Sequence, residues 1–362
     1  MKAHELPEVT DLPFGKARGM VFPRVVLAGH GVLAELGATC RQFGFPRSGV
    51  VVTGPKTVEL AGRKAAEILT EAGFRVQTVI AGEATSDEVA RVEQATEGAE
   101  FLIAAGGGSK IDITKVVAAR LKIPFVSVPT SAAHDGISSP RASLHDSERP
   151  ASIEGAVPIG VIADTAVIVQ APFRLLASGC ADVISNMTAI LDWKLAVRLR
   201  HEEYSSTAAT LSEYAAQEII ARAALIKPNL EESVWIAIRP MIVAGIAMSV
   251  AGSSRPCSGS EHLFSHALDR QAKNVGLHGE QCGIGAIMMM YLHGGDWQAI
   301  RRALETIGAP VTARSLGATN QQIVDALVQA HSMRPDRYTI LGDNGLTREA
   351  AERLARVTGV VS

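Results

Sequence analysis

Residues 101 to 112 read FLIAAGGGSKID. An apolar run, Phe101 to Ala105, passes directly into Gly106, Gly107 and Gly108, and Ser109, Lys110, Ile111 and Asp112 then open a stretch of helical spacing that contains Lys115. That order predicts a buried strand, a glycine turn and a helix start. Without Cβ atoms the turn allows positive φ and lets a ligand approach the backbone, and the partial positive charge at a helix N-terminus suits phosphate oxygens. The run is neither the GxGxxG dinucleotide fingerprint nor a Walker loop, because no Gly-Lys-Ser/Thr follows. Taken alone, it is compatible with a phosphate-bearing ligand and also with a tight turn that binds nothing.

The same unit recurs on either side. Short β-branched runs at Arg24 to Ala28, Gly49 to Thr53, Arg75 to Ile80 and Pro124 to Val128 alternate with helical spacing over Thr57 to Ala72, Thr85 to Thr96 and Lys110 to Leu121. Such alternation predicts βα units and a doubly wound parallel sheet, that is, a Rossmann-like α/β domain over residues 1–165. A polar loop is expected from Pro129 to Pro150. Residues 166–362 read as an all-helical domain, with long Ala, Leu, Ile and Met segments such as Cys180 to Arg200, Glu232 to Val250, Ser258 to Ala272 and Glu280 to His293. Tails are expected only in the first dozen residues and the last few.

The 362 residues carry 35 Lys plus Arg against 37 Asp plus Glu, a formal charge of −2, and 47% are hydrophobic. Two domains can each build a core on that supply. A binder of nucleic acid that works by releasing counterions shows a basic excess or block, and neither is present. The longest apolar stretch, Met241 to Gly252, falls well short of the roughly 20 residues that cross a bilayer. The N-terminus lacks the apolar core of a secretory signal, which predicts a cytoplasmic protein. Cys40, Cys180, Cys257 and Cys282 form no CxxC pair and are read as small buried hydrophobes.

Candidate chemistry falls in both halves. Thr130, Ser131, His134, Asp135, Ser138 and Ser139 follow the strand that ends near Val128, and in open α/β sheets ligands lie beyond the carboxyl ends of strands. Two adjacent strand ends with such groups predict one shared crevice. In the helical half, His262 and His266 are four apart and so share one helix face, and His278 follows between Gly276 and Gly279. Asp182, a carboxylate among apolar neighbours, would be costly to bury without a partner. Imidazoles and a carboxylate are good zinc ligands, and a catalytic zinc typically takes three protein donors. Each residue also has an ordinary reading: a histidine bonded to backbone, or a helix-capping aspartate.

Taken in order, GGGSKIDITK, PTSAAHDGISSP, ADVISN, SSRPCSGSEHLFSHALD and HGEQCG resemble the glycerol-1-phosphate dehydrogenases, relatives of glycerol dehydrogenase, iron-containing alcohol dehydrogenase and dehydroquinate synthase. The resemblance spans roughly residues 20 to 340 and implies an N-terminal domain that binds NAD or NADP, a helical domain that holds one Zn²⁺, and an active site in the cleft between them. Asp182, His262 and His278 then correspond to the metal ligands. Asp135, Asp182 and His266 correspond to substrate contacts, with His266 and Asp135 as the proton relay. Gly106 to Asp112, Thr130, Ser131, Ala132, Ala133 and Ser139 fall on the cofactor segments. Relatives with four metal ligands carry a second histidine where this chain has Asn186, so a three-ligand site is implied.

The implied reaction interconverts dihydroxyacetone phosphate and sn-glycerol 1-phosphate and supplies the backbone of membrane lipids, in a protein expected to form homo-oligomers. A phosphorylated three-carbon substrate needs a cation near the metal; Arg255 is the candidate, and Lys194 a weaker one. An acidic Glu83, after Ala81 and Gly82, would favour NAD, with use of both cofactors open. The alternatives are a polyol dehydrogenase without a phosphate requirement and a dehydroquinate synthase-like lyase.

Overall fold

The computed structural model describes residues 19–145, 150–272 and 275–362, so the tail expected over the first dozen residues lies outside the described residues. Among the described residues, eight strands occur in chain order: β1 (Val25–Gly29), β2 (Ser48–Thr53), β3 (Arg75–Ile80), β4 (Phe101–Gly106), β5 (Phe125–Pro129), β6 (Arg141–His145), β7 (Pro150–Glu154) and β8 (Gly160–Asp164). Six of them form one parallel sheet in the order β1-β8-β5-β4-β2-β3. The helices are α1 (Leu36–Gln42), α2 (Arg63–Glu71), α3 (Ser86–Ala95), α4 (Gly108–Leu121), α5 (Thr165–Ile168), α6 (Phe173–Arg200), α7 (Ser206–Ala221), α8 (Glu231–Ala251), α9 (Ser260–Gln271), α10 (His278–Leu292), α11 (Trp297–Ile307), α12 (Ala313–Leu316), α13 (Asn320–Gln329) and α14 (Arg348–Val357).

The sheet is buried on both faces, as parallel sheets require. Successive side chains of a strand point to opposite faces, and β2 divides accordingly. Val50 and Val52 pack with Leu102, Ala104, Ile111 and Val117 on one side. Val51 packs with Ile103, Val126, Leu36 and Leu69 on the other. A larger core, built from α6, α8, α9, α10 and the helices after them, fills the second half.

Two stretches differ from the sequence reading. The polar stretch after Pro129 is not one loop: it holds a short 3-10 turn at Asp135–Ile137 and β6, which pairs antiparallel with β7. The apolar Gly160–Asp164 is the missing sixth strand, wedged between β1 and β5. The chain end is not a tail either, since Val360 and Val361 are buried and Ala313 N donates to Val360 O at 2.8 Å.

Helix α8 is long and apolar enough to cross a membrane, but 67% of its most apolar window is buried inside the fold. It is a core helix by that measure. All four cysteines are free and buried.

Two glycines permit close approaches, the first of them between the two halves. A Cβ at Gly179 would stand 2.2 Å from the Ala132 carbonyl oxygen, and one at Gly279 would stand 2.0 Å from the Ser178 carbonyl oxygen. Glycine therefore lets α6 press against the segment after β5, and lets the start of α10 press against α6. Both contacts lie next to the residues of the site.

Candidate active site

The carboxyl ends of β4 and β5 lie side by side, with Gly106 paired to Pro129 and Thr130 N donating to Gly106 O at 3.0 Å. The glycine turn and the Thr130–Ser139 segment therefore open into one crevice, as the strand-end rule predicts. The crevice is a cleft of about 780 Å³ that continues down to α6, α9 and α10. That volume is in the range of small-molecule and cofactor sites.

Gly107 caps α4 without a side-chain partner, so the first N–H groups of the helix carry no side-chain cap at the cleft wall that Gly107, Gly108, Ser109 and Lys110 line. A Cβ on Gly108 would stand 2.0 Å from His134 Nε2, so the turn admits no side chain there. These features suit a phosphate-bearing cofactor. Thr130, Ser131, Ala133 and Ser139 also line the cleft.

Other residues in the cofactor segments have structural partners. Ile111 and Ala132 are buried in the packing beneath. Gly106 is the last residue of β4 and packs against Lys110, where a Cβ would meet the side chain at 2.6 Å. The Asp112 carboxylate accepts from Lys115 Nζ at 2.9 Å and from Ser143 N at 3.0 Å, which fastens α4 to β6. Lys115, fully buried, also donates to the carbonyls of Gly136 (2.5 Å) and Arg141 (2.6 Å).

At the floor of the cleft, Asp182 Oδ1 lies 3.8 Å from His262 Nε2 and 3.8 Å from His278 Nε2. Asp182 sits well inside α6 rather than at its cap, is 2% exposed, and accepts from Asp135 N through Oδ2 at 3.1 Å. Its Oδ1 has no hydrogen-bond partner among the described residues. The neighbouring bonds explain why.

Gln281 Nε2 donates to Asp269 and to the Val275 carbonyl, which turns its Oε1 toward Ser265 at 2.5 Å. Ser265 spends its one proton there, so toward His278 Nδ1, 3.2 Å away, it accepts. His278 Nε2 is left with a lone pair facing Asp182. Likewise Glu261 Oε1, which accepts from Gly259 N, also accepts from His262 Nδ1 at 2.9 Å, which leaves the His262 Nε2 lone pair facing Asp182. Burial, then the charge of His278, pushes His262 down to about 3, against the opposing pull of Asp182.

Two imidazole lone pairs and a carboxylate oxygen thus converge, with the Cys282 thiol 3.7 Å from His278 Nε2 beside them. A divalent cation fits that donor set, and each ligand's remote atom is already engaged, as metal-bound histidines require. Cys282 Sγ is in the same knot, all four donor atoms lying within 4.8 Å of one another, but burial and the charge of Asp182 push its thiol well above the usual range. Asn186, one turn beyond Asp182, is fully buried, and neither amide atom has a partner among the described residues.

His266 lines the cleft beside the cluster, its ring centroid 6.4 Å from that of His262 and 6.2 Å from that of His278. Burial, then the charges of His278 and His262, pushes it down to about 3, so its ring is neutral at physiological pH. Asp135 is its chemical opposite. Burial and the charge of Asp182 hold its carboxyl well above the usual carboxylate range, so it keeps a proton where most aspartates lose theirs.

The cation expected from the sequence is elsewhere. Arg255 is 4% exposed, its Nε and Nη2 are held by the Glu202 carboxylate, its Nη1 donates to the Tyr338 carbonyl, and it does not line the cleft. A guanidinium beside an acidic residue on a neighbouring loop is satisfied there and turns away from the site. Lys194 lies 3.8 Å from Glu213, outside the cleft. Arg334, Arg141 and Ser178 line it instead. Arg334 stands in RPDR, between helices, where no periodicity marks a residue as facing a site.

The start of α10 shows how a motif places a ligand. In HGEQ, His278 enters the cluster and Gly279 allows contact with α6. Glu280 takes a two-pronged bond from Arg174 of α6 at 2.6 and 2.7 Å, and Gln281 orients Ser265. Glu261→Gln keeps the shape behind His262 but replaces the carboxyl that holds its Nδ1, a group that burial and the charge of Asp192 push up to about 7. Metal affinity in chelator competition is expected to fall roughly 10- to 100-fold.

Residues 27–172 match the model of an iron-containing alcohol dehydrogenase family. The chain is 54% identical over 344 residues to a glycerol-1-phosphate dehydrogenase (NAD(P)+) from Methanothermobacter thermautotrophicus, an alignment that covers 95% of this chain and 99% of that one. It is 52% identical over 348 residues to the enzyme of the same name from Methanosarcina mazei, covering 96% and 98%. Among solved structures, the glycerol dehydrogenase from Schizosaccharomyces pombe superposes with a TM-score of 0.78 at 17% identity, over 95% of this chain and 90% of that one, which establishes the shared two-domain fold. With near-complete alignment to relatives at about half identity, the chain belongs to the glycerol-1-phosphate dehydrogenase family of oxidoreductases.

Proposed function

We propose that the protein reduces dihydroxyacetone phosphate to sn-glycerol 1-phosphate, reversibly, with NADH or NADPH and one Zn²⁺ held by Asp182, His262 and His278. The reading rests on one observation above all: the convergence of two histidine nitrogens and a buried carboxylate oxygen on the floor of a cleft whose upper wall is the glycine turn. Substrate and cofactor class come from the names of the relatives. The product would supply the glycerophosphate backbone of membrane lipids. A cytoplasmic location, homo-oligomeric assembly and a division near residues 165 and 166 between cofactor and metal domains complete the reading.

When bound, the divalent ion supplies Lewis acidity at the oxygen of the substrate's central carbon, and the nicotinamide supplies or accepts the hydride. The chain's own groups manage the proton. Asp135, which keeps its proton, is suited to donate to that oxygen during reduction. In oxidation the Asp135 carboxylate so formed takes the proton back, and His266, neutral and with its Nδ1 buried without a partner among the described residues, is suited to pass that proton onward between the two ring nitrogens. The Ser265–Gln281 and Glu261 bonds keep both ligand histidines in the tautomer that binds a cation.

Chelation tests the metal. Stripped protein is expected to lose NADH-dependent reduction of dihydroxyacetone phosphate and to regain it with Zn²⁺. Two histidines and a carboxylate also suit Fe²⁺. Rescue by Fe²⁺ alone would replace zinc in this proposal, and full activity after metal removal would end it.

A further inference from the structure

We propose that Arg334, with Arg141 facing the same space, forms the pocket that takes the phosphate group of the substrate, and so sets the preference for phosphorylated over plain three-carbon compounds. The inference rests on the reaction proposed above and adds the residues that recognise its substrate.

The cleft wall carries four cationic side chains: Lys56, Lys110, Arg141 and Arg334. Lys110 Nζ donates to the Gly82 carbonyl at 2.6 Å, at the end of the cleft where Glu83 sits. Arg334 is at the other end. Three residues on, Arg337 donates to the Ser258 carbonyl and Ser254 Oγ, cleft-lining residues just ahead of the helix that carries His262, so Arg334 stands at the metal end of the cleft rather than the adenosine end.

Positive charge accumulates around it. Arg334 repels both Arg141 and the buried Arg337, and Arg337, 8% exposed, is held only by neutral acceptors among the described residues, the Ser258 carbonyl and Ser254 Oγ. The nearby acids offset this only in part. Arg334 makes an ion pair with Asp336 at 3.6 Å, too long for a hydrogen bond, and the Asp336 side chain is 74% exposed, where solvent screens it. Glu202 is committed to Arg255, and Glu154 is paired with Arg141 in the register of the β6–β7 hairpin. Guanidiniums gathered at a half-enclosed wall, beside neutral histidines, are stabilised by a multivalent anion. A phosphate dianion matches the planar fork of arginine through paired, charge-assisted bonds. Arg334 is 30% exposed, which leaves its head accessible from the cleft.

The test compares wild type, Arg334→Ala and Arg334→Lys for NADH-dependent reduction of dihydroxyacetone phosphate and of unphosphorylated dihydroxyacetone, with thermal shift by inorganic phosphate as an activity-free measure. Loss of a charge-assisted contact predicts a KM for dihydroxyacetone phosphate about 10- to 100-fold higher in Arg334→Ala. The kinetics with dihydroxyacetone should be unchanged, stabilisation by phosphate should be lost, and Arg334→Lys should recover part of each. An unchanged KM for the phosphorylated substrate, or equal losses on both substrates, would overturn the assignment. Wild type that is stabilised by phosphate through Arg334 yet inert toward dihydroxyacetone phosphate would keep the anion pocket and reject the proposed reaction.

Discussion

Asp182→Asn is expected to preserve the fold and abolish turnover, with kcat lower by about a thousandfold or more and the bound metal gone. The carboxylate sits between two imidazole lone pairs, and its Oδ1 has no other partner. An asparagine in the same rotamer can still accept from Asp135 N, which now bonds Oδ2 at 3.1 Å. Its amide nitrogen would then donate to one of the histidines, and the cluster would be satisfied without a cation. Lewis-acid stabilisation is worth several kcal/mol, and ~1.36 kcal/mol is a factor of ten in rate, which sets the expected loss. Metal analysis, steady-state kinetics and melting with and without chelator measure it together. Wild type should melt lower after chelation, because an ion bound only to the native state stabilises it. The variant's melting should not respond to chelator. A variant with full metal content and near-normal kcat would show that Asp182 is not a ligand.

The parallel sheet was legible because its chemistry is local. Four of the five runs are followed at once by Gly or Pro (Gly29, Gly54, Gly106 and Pro129) and the fifth by Ala81 and Gly82, and those signals place β1 to β5 within about a residue of the observed bounds. Gly160–Asp164 was missed because GVIAD is short and follows an irregular stretch with no helix before it, so it lacks the βα rhythm that identified the others. The hairpin of Arg141–His145 and Pro150–Glu154 was hidden by its polar composition. The candidate site divides the same way. The HxxxH spacing and the glycine turn are read along one element, whereas Asp182 gains its meaning only from contacts with α9 and α10 across the fold. Arg255 misled because sequence proximity to His262 does not determine direction: one acidic neighbour, Glu202, turned its guanidinium away. Lys115 was visible only as a lysine within a helical stretch, and nothing in its spacing announced that it would be fully buried.

That lysine carries the second large effect. Lys115→Met keeps most of the side-chain volume and removes the ammonium that joins three elements of the cofactor wall: α4 through Asp112, the 3-10 turn through the Gly136 carbonyl, and the start of β6 through the Arg141 carbonyl. Breaking a buried ion pair from one side costs about 3–5 kcal/mol, because the partner charge is left behind. Asp112 would still accept from Ser143 N, but at 5% exposure it would lack a compensating cation. The two carbonyls would each lose a donor. The segment that then loosens holds His134, Asp135 and Ser139, so the cofactor and the proton donor should lose their fixed positions together. The expected result is a melting temperature lower by several degrees, with KM for NADH raised and kcat lowered in the same variant. The double variant Lys115→Met, Asp112→Asn separates the causes. Removing the orphaned charge should recover a large part of the stability, since the desolvated carboxylate is the main cost, but not the kinetics, since the ties to Gly136 and Arg141 remain absent. If the double variant regains neither, the carbonyl bonds and not the ion pair hold the wall. If Lys115→Met alone melts like wild type, the buried ammonium has no structural part in the cleft.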